Sequence, residues 1–167
     1  GLSEYEGNGV HLKFESTNKT RNIFVDWPGF NHGRGIRADI ELDLGQNNQS
    51  MNIVIPISNK RFYYNHKINC LPASGTLKYG DVQEKLIPST SLGQLDWGRG
   101  VWEYSSFWNW ASASGFLPDG TTVGINLGSG FGDTSSATEN AMIINGVVHK
   151  LDQVIYEYDP NDFMMPC

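Results

Sequence analysis

Six polar residues in the second half of the chain have the types and spacing that chemistry needs: Asp96, Arg99, Glu139, Asn140, His149 and Lys150. Asp96 and Arg99 bracket Trp97 in the run Leu95-Asp96-Trp97-Gly98-Arg99-Gly100. There a carboxylate and a guanidinium can pair, or the guanidinium can stack on an indole. A structural clamp is the commoner meaning of such a pair, and a ligand contact is the other. Glu139 falls diagonally across a hairpin from Lys150 and reads most simply as half of a cross-strand ion pair. Buried beside an aromatic face, it would instead be a carboxyl of raised pKa able to donate a proton. His149, opposite Met142, is more often a partly buried, satisfied histidine than a base. Asp96, Glu139 and His149 are therefore the catalytic candidates.

No metal or cofactor is expected. His11, His32, His66 and His149 share no ligand spacing. Gly128-Ser129-Gly130-Phe131-Gly132-Asp133 follows a strand but misplaces the third glycine of a dinucleotide fingerprint, and Asp133 would repel phosphate. No serine sits in a nucleophile elbow.

Two hairpins must position these residues. The Pro118-Asp119-Gly120 turn favours a three-residue loop with Gly120 at the φ > 0 position and Leu117 opposite Thr121. Register then sets Phe116 against Thr122, Ser114 against Gly124, Ser112 against Asn126, Trp110 against Gly128 and Trp108 against Gly130, all on one face. Extending the strand backward adds Trp102 and Tyr104 to that parity, while Ala111, Ala113, Val123, Ile125 and Leu127 form an aliphatic face that reads as plain core. Indoles over glycines can be a strand covering its own bare backbone. Apolar area mixed with a few polar groups is also what a ligand cavity needs, so Trp97, Arg99, Trp102, Tyr104, Trp108, Trp110, Ser112 and Asn126 are the candidate ligand contacts. The second hairpin turns at Asn145-Gly146, the strongest two-residue type I′ signal, and pairs Ile144 with Val147, Met142 with His149 and Ala141 with Lys150.

The rest reads as scaffold. Strands are expected over Val10 to Glu15, Asn22 to Trp27, Ile36 to Leu44, Met51 to Ile57, Arg61 to Cys70, Thr76 to Tyr79 and Val154 to Tyr158. Leu71-Pro72-Ala73-Ser74-Gly75 reads as a connection, and Trp27 to Gly35 as an irregular loop that is either a lid or an ordinary link with its aromatics tucked away. Residues 81 to 94 hold either one helical turn near Val82 to Leu86 or a crossing between sheets, and any domain boundary falls there. Dense strands, 19 glycines and five tryptophans make the chain all-β, a barrel or sandwich, and its 167 residues suit one domain.

Composition narrows the partners. A formal net charge of −6 without a basic run argues against nucleic acid and anionic membranes. No apolar run approaches the roughly 20 residues that span a bilayer, so membrane insertion is not expected. Cys70 and Cys167 show no metal spacing and are expected as thiols in a reducing, cytoplasmic setting.

Leu95 to Trp102, Trp108-Asn109-Trp110-Ala111-Ser112, Gly124-Ile125-Asn126-Leu127-Gly128, Thr138-Glu139-Asn140-Ala141 and His149-Lys150-Leu151 resemble the signature blocks of an uncharacterised microbial domain-of-unknown-function family. Asn65-His66-Lys67-Ile68-Asn69 with Pro72-Ala73-Ser74-Gly75 resembles another of its blocks, and the likeness runs from Phe62 to Met165. The resemblance implies an antiparallel lipocalin-like (calycin-like) barrel or incomplete double barrel, similar to carotenoid hydratase and tocopherol cyclase-type proteins. It implies a longer parent chain, with this portion a fragment whose remainder is a partner, and it carries over no catalytic residue. The leading expectation is a hydrophobic or amphipathic small molecule held against Trp102, Tyr104, Trp108 and Trp110, with acid chemistry by Asp96 or Glu139 as its enzymatic form. A carbohydrate-binding β-module and a structural domain without a ligand are the alternatives.

Overall fold

The computed structural model describes residues 1–45, 48–157, 159 and 161–162. The chain is nearly all-β and antiparallel, with a strongly curled sheet of incomplete-barrel type. It divides into two compact units, Gly1–Asn48 with Cys70–Gln94, and Gln49–Asn69 with Leu95–Cys167.

The first unit is a meander. Strands β1 (Leu2–Gly7), β2 (Val10–Ser16), β3 (Thr20–Trp27) and β4 (Ile36–Asp43) pair in sequence, and β4 pairs with the second half of β6 (Arg61–Tyr79). β4 buries Ala38 and Leu42 and exposes Arg37, Asp39, Glu41 and Asp43, as its alternation predicts. β1 has no apolar alternation because almost all of it is exposed, and the sequence reading misses it.

Residues 82–86 correct another expectation. β7 (Val82–Leu86) is neither a helical turn nor a crossing; it folds straight back on β6, pairing Tyr79 with Val82 and Gly75 with Leu86. Likewise Leu71 to Gly75 is no connection, because β6 runs unbroken for 19 residues and absorbs its irregularities at Cys70 (φ +59°) and Gly75 (φ +124°). In the Trp27–Gly35 link the four-residue α1 (Phe30–Gly33) is a turn with Asn31 (φ +46°) and His32 (φ +59°) in left-handed backbone, and the aromatics of the link pack locally, Phe30 edge-on to Trp27 and Tyr79.

The second unit holds the hairpins. β5 (Met51–Ser58) pairs with the first half of β6, and β8 (Leu92–Val101) also pairs with β6. β9 (Asn109–Phe116), β10 (Thr122–Ser129), β11 (Ala141–Ile144) and β12 (Val147–Lys150) form a four-stranded sheet. Its registers are those expected from the two turns: Ser112 opposes Asn126, Trp110 opposes Gly128, and Met142 opposes His149. Gly120 (φ +85°), Asn145 (φ +47°) and Gly146 (φ +79°) supply the left-handed backbone those turns require.

The aliphatic face is not the plain core expected of it. Gly124, Asn126 and Gly128 are the buried positions of β10, whereas Val123, Ile125 and Leu127 are only half-buried. Residues 154–157 form no strand, and Tyr158 and Cys167 lie outside the described residues. Cys70 is buried. No described helix is long and apolar enough to cross a membrane.

Candidate functional site

Alternation along β6 places Tyr63, Asn65 and Lys67 on one face. Lys67 is only 4% exposed, a burial that lysine tolerates only when paired. Its Nζ lies 2.6 Å from Glu139 Oε2 and 3.3 Å from Asp96 Oδ2, and stands 4.9 Å from the centre of the Trp110 ring. Three ammonium protons thus meet two carboxylates and one indole face. Glu139, 7% exposed, also accepts from Asn65 Nδ2 at 3.1 Å. The Oδ1 of fully buried Asn65 has no partner among the described residues.

Two glycines create this floor. A methyl group on Gly128 would stand 2.6 Å from Glu139 Cδ, and one on Gly98 would stand 2.6 Å from Tyr63 Cε2. A side chain at Gly128 would displace the Glu139 carboxyl, and one at Gly98 would press on the Tyr63 ring and the Tyr64 carbonyl. Gly128 therefore lies under Glu139. The indole is fixed by Asn126: Trp110 Nε1 donates to Asn126 Oδ1 at 3.1 Å, and Asn126 Nδ2 donates to the Glu139 carbonyl at 2.8 Å. Asn140 Oδ1 accepts from the Gly128 amide at 2.7 Å, holding the carboxylate-bearing segment against β10.

Aromatic rings make the walls. Phe131 sits edge-to-face with Tyr63 and Trp108, each at 4.9 Å between ring centres, and with Trp102 at 6.1 Å. Arg61 pairs with Glu103 and so ties the segment carrying Trp102 to the β5–β6 hairpin. The hollow, partly open to solvent, measures about 420 Å³ and is lined by Tyr63, Lys67, Asp96, Gly98, Trp102, Trp108, Trp110, Phe131 and Glu139. That volume lies within the range of small-molecule pockets.

The charges leave a signature on nearby phenols. Burial pushes the Tyr63 hydroxyl up from its ordinary pKa, the negative charges of Asp96 and Glu139 push it further, and a hydrogen bond with Asn65 opposes them. Tyr156, whose hydroxyl donates to the Leu127 carbonyl at 2.9 Å, is raised by burial and then by Glu139.

The structure sorts the residues expected from sequence. Asp96, Glu139, Trp102, Trp108 and Trp110 come together in the hollow, while Asn126 and Ser112 stand behind it, with Ser112 Oγ donating to the Ile125 carbonyl and accepting from Asn69 Nδ2. Trp97 and Arg99 take the other parity of β8 and do not line it; Trp97 packs edge-on to Tyr64, and Arg99 is exposed without an ion pair among the described residues. Tyr104 is fully exposed, and His149 is exposed on β12. The ion pair of Glu139 is with Lys67, not Lys150, which instead donates to the Asn140 carbonyl at 2.7 Å and to Thr138. Burial lowers the Lys150 pKa, with the charges of Glu139 and Asp152 opposing.

Lys67, Tyr63, Asn65 and Phe131 escape the sequence reading. The one signal for the first three is their shared parity in β6, but a polar face of a strand ordinarily faces water.

A family model described as Domain of unknown function (DUF2804) matches residues 1–167. The chain belongs to the DUF2804 family. No curated protein and no solved structure matches it.

Proposed function

We propose that this DUF2804 member binds a small amphipathic molecule in the hollow, with the apolar body against Trp102, Trp108, Phe131 and Tyr63 and the polar end on Asp96, Glu139 and Lys67. The lipocalin-like character implied by the signature blocks belongs to the same proposal. One observation carries it: ordinary burial is inverted here. A lysine and a glutamate are buried at the floor, while Trp102, Trp108 and Trp110 remain 45%, 50% and 41% exposed around them. Buried charge and exposed aromatic surface are each the informative exception to the normal distribution, and a bound ligand accounts for both. Any acid–base step falls to Asp96 and Glu139, the two carboxylates that share Lys67.

The neutral probe N-phenyl-1-naphthylamine, which brightens in apolar surroundings, tests this. Trp108→Ala should weaken its binding roughly tenfold or more, as removal of an aromatic anchor does, while the melting temperature moves by no more than about 3 °C. Unchanged probe affinity in that variant rejects the reading. Quenching of the indoles by oligosaccharides without displacement of the probe would assign the aromatic surface to sugars instead.

A further inference from the structure

Resting on that reading, we infer that the polar end of the ligand is a hydrogen-bond-donating cation, a protonated amine, and that the hollow discriminates against carboxylates, sulfates and phosphates. The floor has its donor committed and acceptors to spare. Lys67 is its one cationic side chain, and the ammonium is already committed to Glu139 Oε2, Asp96 Oδ2 and the Trp110 face. An anionic head would find that donor taken.

Acceptors are in surplus. The second oxygens of Asp96 and Glu139 have no hydrogen-bond partner among the described residues, and beside them, buried and outside the lining of the hollow, the Oδ1 of Asn65 is another acceptor without one. Asn65 lies on the face of β6 shared by Tyr63 and Lys67, and its amide touches the same carboxylate that Lys67 does. With two carboxylates and one ammonium the floor carries one net negative charge. The hydroxyls of Tyr63 and Tyr156, raised first by burial, are raised further by these carboxylates, Tyr63 by both and Tyr156 by Glu139. The walls agree with the floor, because the faces of Trp and Tyr rings attract cations and do nothing for anions. Asp96 is the variable element: its side chain is 40% exposed, so it can exchange water for a ligand without disturbing the buried Lys67–Glu139 pair.

Three probes of eight carbons each separate this inference from the proposal beneath it: octylammonium chloride, 1-octanol and sodium octanoate, each titrated below its micelle concentration against tryptophan fluorescence at pH 7. Octylammonium should bind at least about tenfold more tightly than octanol, with octanoate weakest, since a cation–π contact and an ion pair each favour the ammonium. In Asp96→Asn, which retains the shape of the side chain and the Lys67–Glu139 pair, the preference for octylammonium over octanol should shrink to about threefold or less. If octanol or octanoate binds as tightly as octylammonium, the cation preference is wrong and the amphipathic cavity stands. A full preference surviving in Asp96→Asn also overturns the inference, because the charge would then come from elsewhere. Failure of all three probes, with no response to Trp108→Ala, removes both.

Discussion

At the scale of single residues, the site turns on how Lys67 is shared. A buried ammonium held by two carboxylates and an indole face is fixed in place, and the surrounding groups feel the charge that is left over. Tyr63 reports it. Its hydroxyl is raised first by burial and then by Asp96 and Glu139, so the folded protein holds this proton more firmly than the unfolded chain does. The stabilisation from that difference is complete below the unfolded tyrosine pKa of about 10 and is lost as pH rises through the higher folded value. Alkaline titration followed by phenolate absorbance should show Tyr63 among the last of the seven tyrosines to ionise, a component that Tyr63→Phe deletes. Asp96→Asn should bring that component to lower pH, and an unmoved titration would show that Asp96 does not act on Tyr63.

At the scale of elements, the β9–β10 hairpin was legible because its information is local. Pro118-Asp119-Gly120 fixes a turn, the turn fixes register, and the period of two fixes which residues share a face. Asn145-Gly146 did the same for β11 and β12. What the chain did not disclose depends on distant partners. Nothing near Pro72 shows that β6 continues through it, and nothing near Val82 shows that β7 will pair with β6 instead of turning helical. Lys67 reads as solvated because the carboxylates that bury it, Asp96 and Glu139, lie 29 and 72 positions away in sequence. The buried face of β10 was misread for the same reason: an aliphatic row looks like core until Glu139 is known to fill the space above Gly128.

Glycines within this one hairpin separate the two kinds of information. Gly115 on β9 has open space where a methyl group would go, whereas Gly128 on β10 has the Glu139 carboxyl there. Gly115→Ala should leave stability unchanged or raise it by up to about 1 kcal/mol through reduced backbone entropy. Gly128→Ala must drive Glu139 from Lys67 and leave a buried ammonium partly unpaired, at a cost on the order of 3–5 kcal/mol. Urea unfolding of the two variants measures the difference directly. Equal stabilities would mean that the carboxyl can leave its place over Gly128 without consequence, and that the floor is not built around it.

At the scale of the whole molecule, the local charge of the site sits within a larger one. The chain carries 18 acidic against 12 basic residues, and the site accounts for one of its six net negative charges. The rest act on a cationic ligand from a distance, and distance makes them sensitive to salt. The Debye length falls from about 30 Å at 0.01 M salt to about 8 Å at 0.15 M, so remote charges are screened over that range while contacts inside the hollow are largely not. Octylammonium binding should therefore weaken several-fold between these conditions, mainly through slower association, whereas octanol binding should stay constant. The Asp96→Asn variant should keep most of that salt slope, because its remote charges are intact, and should still bind octylammonium more weakly than the wild type at 0.15 M. Stopped-flow tryptophan fluorescence resolves the two contributions. A salt slope that vanishes with Asp96 would place the whole electrostatic attraction at the floor, and one shared equally by octanol would show that salt acts on the apolar contact instead of on charge.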